Sequence, residues 1–261
     1  KVGYFDFSKY CIIILSGIFE GNIFKQIYEI EIEGLSVGSS LLDNFSMSEI
    51  EVFKKNSTAY TPHKFEVIFI NEQELSSWVL DNAPIHPAFK YLSSVHKADY
   101  LRCYFMHYYG GAYSDVKVIE DSWLSPYKEL CNSNHFINGY REINCFETAR
   151  GRGIIKDTWL ALNFYRVIGC GAYICKPNTF FTIDWLNSVH GILDQKYELL
   201  KNYPANNPRD FYNKRLDDGS ISNYPLVWSE ICGQIFHPLC LKYSKKILKT
   251  LPTPDFNLPY L

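Results

Sequence analysis

The sequence predicts an α/β fold in which helices cover both faces of a parallel-rich sheet. Residues 10–18 contain a β-branched apolar run that is closed by Ser16-Gly17, which predicts a buried strand. A continuous apolar strand is typical of a parallel sheet that is covered on both faces. Strand and helix patterns then alternate through the first half of the chain, which favours an α/β sandwich.

The clearest helix is predicted at residues 94–109. Ser93 or Ser94 can cap its first turn, and Gly110-Gly111 supplies the backbone freedom that ends a helix. The remaining patterns predict helices at 45–56, 72–80 and 178–200, strands at 65–70, 112–119 and 136–140, a helix or strand at 157–165 and at 226–236, a loop at 202–223, and an extended tail at 251–261.

Length, charge and composition restrict the class of protein. The chain has 261 residues, which suits one large domain or two small ones. Its 26 basic and 28 acidic side chains leave a formal charge of −2, so we expect no nucleic-acid partner. No apolar run approaches the roughly 20 residues of a membrane-spanning helix, and we expect no transmembrane segment. The eight cysteines form no Cys-x-x-Cys pair, which favours reduced thiols in a cytoplasmic protein.

One continuous stretch around the glycine turn contains the strongest pattern of candidate functional residues. Its distinctive positions are Asp99 and Arg102 on the helix, Tyr109, Gly110 and Gly111 at the turn, and Tyr113, Asp115 and Lys117 on the strand. Asp99 and Arg102 are three residues apart, so their side chains can meet on the helix. The two-residue period of a strand points Tyr113, Asp115 and Lys117 to the same side.

This spacing resembles the core signature of the DXD-containing glycosyltransferases of GT-A type. That group includes capsular-polysaccharide synthesis enzymes, initiating mannosyltransferases and the glucosyltransferase domains of glucosylating toxins. Its pattern is a helix with Ala/Ser-Asp-x-x-Arg, a Tyr-Gly-Gly turn and a strand with Tyr-x-Asp-x-Asp. The resemblance implies a GT-A fold, which is a single Rossmann-like α/β/α sandwich with a mixed, mostly parallel sheet. One domain would span residues 1–261, with a nucleotide-sugar-binding half at about 1–125 and an acceptor-binding half at about 126–261.

The resemblance also implies an enzyme. Members of the group move a hexose from a nucleoside-diphosphate sugar, such as a UDP- or GDP-sugar, to a hydroxyl of a glycan or a lipid-linked oligosaccharide. Most resembled families retain the anomeric configuration, so we expect retention. The chain would then work in surface-polysaccharide or glycan synthesis. Its expected location is the cytoplasm, at the periphery of the membrane where glycans are assembled.

The same resemblance assigns roles to individual residues. Asp99 and Arg102 would bind the donor by holding the sugar hydroxyls and the phosphate. The turn that follows them would also contact the donor, through Tyr109, Gly110 and Gly111. A pocket for the nucleotide base near the N-terminus would be lined by Ser16, Gly17 and Phe19. Two acidic residues of the second half, Glu142 and Asp184, are candidates for contact with the acceptor.

Lys117 departs from the pattern, because it stands where the second Asp of Asp-x-Asp is expected. A charged lysine does not ligate a hard divalent cation, so dependence on Mn²⁺ or Mg²⁺ is left open. If a metal is used, Asp115, Glu230 and His237 are its candidate ligands. If it is not, the ammonium of Lys117 binds the diphosphate directly. In either case, Asp115, Lys117 and Arg102 are the candidate catalytic residues.

A second class of function also accommodates Lys117, namely a GT-A-like protein that binds nucleotide or carbohydrate without turnover. A nucleotidyltransferase is disfavoured because the Gly-rich phosphate loop of such enzymes is missing. Simpler explanations stay open for single features. Asp99 and Arg102 also fit an ordinary surface ion pair, and Gly110-Gly111 also fits a plain helix stop.

Overall fold

A mixed β-sheet lies at the centre of the computed structural model, which describes residues 13–15, 75–115, 121–216 and 218–254. Labelled in chain order, its strands and helices are β1 (Ile13–Leu15), α1 (Leu75–Trp78), α2 (Ser94–Tyr108), β2 (Gly111–Ser114), α3 (Leu124–Cys131), β3 (Ile137–Arg141), α4 (Ile154–Leu162), β4 (Ile168–Cys175), α5 (Phe180–Gln195), α6 (Tyr197–Asn202), α7 (Gly233–Lys242) and β5 (Ile247–Leu248). Short 3-10 helices lie at Pro87–Tyr91, Phe164–Arg166 and Ser244–Lys246.

The described strands follow the order β1-β2-β4-β3-β5. β1 runs parallel to β2, with Ile13 opposite Ala112, and β3 runs parallel to β5. β4 runs antiparallel to both of its neighbours. The prediction of an α/β fold with a mixed sheet is confirmed. The expected majority of parallel pairs is not found among the described strands, because burial on both faces produces an apolar run whichever way a strand runs.

Helices cover both faces of this sheet. α2, α5 and α7 pack on one face, where Tyr113 joins the main core. α3 packs on the other face, where Ala112 and Tyr127 belong to a smaller core. Ala112 and Tyr113 enter opposite cores because successive strand residues point to opposite faces. Aromatic rings fill much of the main core, as in the Trp185–Phe236 pair, whose centroids are 5.0 Å apart.

Helix α2 confirms the strongest sequence prediction. The Ser93 side chain accepts a hydrogen bond from the backbone N–H of His96, as a cap should. The helix ends at Tyr108, and Gly110 and Gly111 follow with φ of 67° and 105°. A Cβ on Gly110 would lie only 2.6 Å from Pro177 Cδ. Glycine is therefore required both by the backbone conformation and by the close approach of the chain that follows β4.

Several other predicted elements are present with shifted ends. β3 matches the strand predicted at 136–140, and α5 with α6 match the long helix predicted at 178–200. The segment at 157–165 is largely helical and begins earlier, as α4. The segment at 226–236 is mostly loop until α7 begins. The elements predicted at 45–56 and 65–70 lie outside the described residues.

Two expectations about the chain as a whole concern membranes and thiols. In the described part of the chain, no helix combines the length and apolarity that crossing a membrane requires. Every cysteine in that part is a free thiol.

Candidate functional site

A buried ion pair on helix α2 forms the base of the candidate site. Arg102 Nη2 lies 2.8 Å from Asp99 Oδ1, and the two side chains are only 10% and 4% exposed. The surface-pair explanation is therefore wrong for these residues. Arg102 Nη1 also donates a hydrogen bond to the carbonyl of Cys170 on β4, at 3.2 Å. The largely buried guanidinium of Arg102 therefore joins helix α2 to strand β4.

Tyr113 joins the helix half of the motif to its strand half. The guanidinium carbon of Arg102 lies 4.1 Å from the centroid of the Tyr113 ring. The hydroxyl of that ring donates a 2.6 Å hydrogen bond to Asp115 Oδ1. Burial works against the charge on Arg102, but its neighbours Tyr113, Cys232 and Asp99 outweigh burial and hold its pKa above the ordinary value. A permanent cation therefore sits behind the ring that orients Asp115.

Asp115 lies just past the end of β2 and is only partly buried, unlike the four residues before it. Its backbone N–H donates to the carbonyl of Gly171 on β4, at 2.6 Å. A Cβ on Gly171 would lie 3.1 Å from Asp115 Oδ2 and 3.3 Å from the hydroxyl of Tyr140. A Cβ on Gly169 would overlap the Tyr140 ring itself. Alternate glycines on β4 thus make room for the Asp115 carboxylate and for Tyr140.

A second polar group lies beside Cys170 of β4. His237 Nε2 lies 3.3 Å from Glu142 Oε2 and 3.4 Å from Cys170 Sγ. His237 Nδ1 accepts a 3.0 Å hydrogen bond from the backbone N–H of Ala149. Because Nδ1 is used as an acceptor, the proton of the neutral ring is on Nε2 and points to Glu142 and Cys170. Both Glu142 and His237 are buried.

This geometry does not activate Cys170 as a nucleophile. A base would have to accept the thiol proton at Nε2, which already carries a proton. The pKa of Cys170 is raised by its hydrogen bond with Cys232 and by burial, so the sulfur stays a thiol. Burial and the nearby Glu142 likewise raise the pKa of Tyr140, which stays a neutral hydroxyl. Glu142, expected at an acceptor-binding surface, is instead a buried neighbour of His237.

The turn residues of the motif have structural roles here. The Tyr109 hydroxyl donates to the carbonyl of Trp78 at 2.8 Å, and the side chain is buried. Gly110 is packed against the chain after β4, as described above. In this structure, Tyr109 and Gly110 hold the helix–strand corner that sets the position of Asp115.

Two other predicted site residues belong to separate ion pairs. Glu230 lies 2.6 Å from Lys196 Nζ and also accepts from the backbone N–H of Val227. Asp184 lies 2.5 Å from Lys242 Nζ. The pKa of Asp184 is lowered by this hydrogen bond from Lys242 and by one from Tyr243. The described contacts place these two carboxylates in their own surface-proximal pairs rather than beside Asp115.

A divalent-metal site is not assembled by the part of the chain that is described. No three His, Cys, Asp or Glu side chains there are grouped to hold a metal ion. Of the candidate ligands, Glu230 is paired with Lys196, and both nitrogens of His237 are engaged as set out above. Lys117, Ser16, Gly17 and Phe19 lie outside the described residues.

Sequence reasoning missed Tyr140 and Gly171 as neighbours of Asp115, and Cys170 as a partner of Arg102. The available signal was the pair of alternating glycines, Gly169 and Gly171. Glycine within a strand often marks a place where another group approaches the backbone closely. Which group approaches depends on strand order, which the local pattern does not encode.

Comparison with known proteins gave no match: no family model, no curated protein and no solved structure is significantly similar to this chain. Similarity therefore assigns neither a family nor a function to it. The contacts around Arg102, Tyr113 and Asp115 are what a functional proposal has to explain.

Proposed function

We propose that this protein is a nucleotide-sugar-dependent hexosyltransferase of GT-A type. Its donor is a UDP- or GDP-sugar, and its acceptor is a hydroxyl of a glycan or a lipid-linked oligosaccharide. The anomeric configuration is retained. The observation that carries the proposal is the contact chain from Arg102 through the Tyr113 ring to Asp115, which unites the two halves of the glycosyltransferase-like motif.

Transfer of the hexose requires that the donor and the acceptor be oriented and that the leaving diphosphate be stabilised. The bond from the anomeric carbon to the diphosphate breaks, and a bond to the acceptor oxygen forms. The products are the glycoside, the nucleoside diphosphate and the acceptor's proton. Negative charge grows on the diphosphate, so a fixed positive charge nearby accelerates the step. We assign that charge to Lys117 on the strength of the sequence pattern.

The remaining roles follow from burial. Asp115 is accessible enough to accept hydrogen bonds from donor hydroxyls, and the Tyr113 hydroxyl fixes the orientation of its carboxylate. Arg102 is buried, so we treat it as a positioning residue that acts through Tyr113, with Asp99 balancing its charge. The proposal assigns the leaving-group charge to Lys117, and a bound Mn²⁺ or Mg²⁺ is the alternative source of that charge.

The test is turnover by a conservative variant. Asp115→Asn keeps the size of the side chain but removes its charge, and we expect nucleoside diphosphate release from a panel of UDP- and GDP-sugars to fall about 100-fold or more. Asp218→Asn, at an exposed loop position bonded to Ser220, is the matched control and should keep full turnover. Wild-type turnover that survives Asp115→Asn would contradict the proposal.

The stereochemical part has its own measurement. Proton NMR of the product, recorded before mutarotation, reports the anomeric configuration directly. Inversion would remove the assignment of retention while leaving glycosyl transfer intact. Turnover in excess chelator, with and without added manganese, separates charge stabilisation by Lys117 from stabilisation by a metal.

A binding protein without turnover is the second candidate, and it accommodates Lys117 at the position of the second Asp. Calorimetry with nucleoside diphosphates, run beside the turnover assay, distinguishes the two. Binding without hydrolysis or transfer would support the second candidate.

A further inference from the structure

Helix α4 turns its apolar side chains towards solvent. Ile154, Ile155, Trp159 and Leu162 are 87%, 86%, 54% and 71% exposed. Only Leu160 of this helix is buried. At the helical rotation per residue, the four exposed side chains fall within an arc of about 140°. An apolar stripe of this width ordinarily faces a partner, and here it faces water.

The same region carries a local excess of positive charge. Between residues 146 and 166 there are four cationic side chains and two anionic ones, a formal charge of +2, whereas the whole chain carries −2. Arg150 and Lys156 are exposed. Of the two anions, Glu147 is exposed, whereas Asp157 accepts hydrogen bonds from two backbone N–H groups at the helix entry, at 2.9 and 3.2 Å. Asp157 also pairs with Arg152 at 3.8 Å, and that Arg152 side chain is 19% exposed. Arg150 and Lys156 are therefore the cations that face outward.

Aromatic side chains and a groove continue this surface. Phe146 and Tyr165 are 75% and 59% exposed, and the Arg150 guanidinium lies 5.8 Å from the Phe146 ring centroid. An open groove of about 560 Å³ adjoins the helix, with Arg152 and Lys156 among its lining residues. Exposed aromatic rings beside cations are typical of proteins that sit at the boundary between lipid tails and headgroups.

We propose that α4, together with Phe146 and Tyr165, forms a surface that binds anionic lipid bilayers. The apolar arc enters the acyl boundary, and Arg150 and Lys156 meet anionic headgroups. A second copy of this chain is a poorer occupant, because two surfaces of charge +2 would face each other across the interface. The proposal is independent of glycosyl transfer, since a catalytically inactive protein would bind the bilayer in the same way.

The test is co-sedimentation of the full chain with vesicles of phosphatidylcholine, with or without phosphatidylglycerol. We expect binding only with phosphatidylglycerol, and weaker binding at high salt. Trp159→Ser/Leu162→Ser should weaken it about tenfold or more. Lys156→Glu should weaken it about fivefold or more on the anionic vesicles. Thermal unfolding establishes that each variant is folded.

A matched control removes apolar surface elsewhere. Leu199→Ser/Ile221→Ser deletes two large side chains that are 48% and 53% exposed, and it should bind like the wild type. The proposal is overturned if the folded wild type ignores anionic vesicles, or if this control loses as much binding as the α4 variant. A dimer that forms without lipid and disappears in Trp159→Ser/Leu162→Ser, with no vesicle binding, would assign the surface to a second copy instead.

Discussion

The Arg102 guanidinium lies over the Tyr113 ring, 4.1 Å from its centroid, while it holds Asp99 at 2.8 Å. Cation, ring and carboxylate thus form a chain that ends at Asp115. Each link has a different physical character: an ion pair, a cation–π contact and a hydrogen bond. The links are therefore separable by substitution.

Removing the cation should destabilise the fold. Arg102→Met leaves Asp99 buried without its partner, and we expect the free energy of unfolding to fall by about 3–5 kcal/mol. Urea denaturation measures the change. Asp99→Asn/Arg102→Met removes both charges and should recover part of the loss. Equal losses in the single and double variants would show that the ion pair itself is not the cause.

Removing only the Tyr113 hydroxyl should affect turnover more than stability. Tyr113→Phe keeps the ring under Arg102 but deletes the hydrogen bond to Asp115 Oδ1. A hydrogen bond to a charged group contributes about 1.5–3 kcal/mol, so we expect kcat to fall by about tenfold to a hundredfold. Steady-state kinetics with an active nucleotide sugar checks this. A change confined to KM would indicate that the hydroxyl serves binding rather than orientation.

Substitution of two different glycines by alanine should change the stability of the fold in opposite directions. Gly110→Ala forces a side chain into positive φ and against Pro177, and we expect a loss of about 2 kcal/mol or more in stability. Gly191 lies inside α5 with open space around it, so Gly191→Ala should stabilise by about 0.5–1 kcal/mol. Thermal or urea unfolding measures both. Similar effects of the two substitutions would contradict the packing at Gly110.

Stability should fall as the pH falls below about 6.5, in part because of His96. Burial lowers the pKa of His96 below its ordinary value of 6.5. Its neutral ring is bonded to Val227 O at 3.1 Å and to Tyr224 Oη at 3.1 Å. Since the unfolded chain binds the proton first, the contribution is complete above pH 6.5 and is lost progressively below it.

The slope of stability against pH isolates this effect. One such histidine contributes up to about 1.4 kcal/mol per pH unit below its unfolded pKa. His96→Gln should reduce the slope by a corresponding amount, whatever it does to stability at neutral pH. Denaturation curves at several pH values measure it, and an unchanged slope in the variant would refute the role of His96.

The sequence predicted helix α2 and the turn to β2 well, because interactions between residues close in sequence determine them. A cap at Ser93, a helical period and two glycines define α2 and its end, and each acts over a few residues. The meeting of Asp99 with Arg102 follows from their spacing on a helix. The burial of that pair was not predictable, since it depends on β4 and α7, which lie far along the chain.

The direction of β4 and the partners of His237 could not be predicted from local sequence patterns. A buried strand looks the same in sequence whether it runs parallel or antiparallel. The ring of His237 is held by Ala149, 88 residues away in sequence. Neither the hydrophobic period nor the spacing of residues along the sequence indicates a contact between residues so far apart. The contacts of Glu230 with Lys196 and of His237 with Glu142 were not predictable for the same reason.

The attachment of α4 to the rest of the protein has a consequence for its dynamics. Ala149 N–H is held by His237, and the carbonyl of Arg150 is held by the Gln234 side chain at 2.7 Å. The chain after α4 is held by Lys249 Nζ, which donates to Tyr165 O at 3.2 Å. The helix itself buries only Leu160. Its amide protons should therefore exchange with solvent through local opening, well before those of α2 or β4. α4 would then act as its own cooperative unit, able to loosen and re-form while the sheet stays closed.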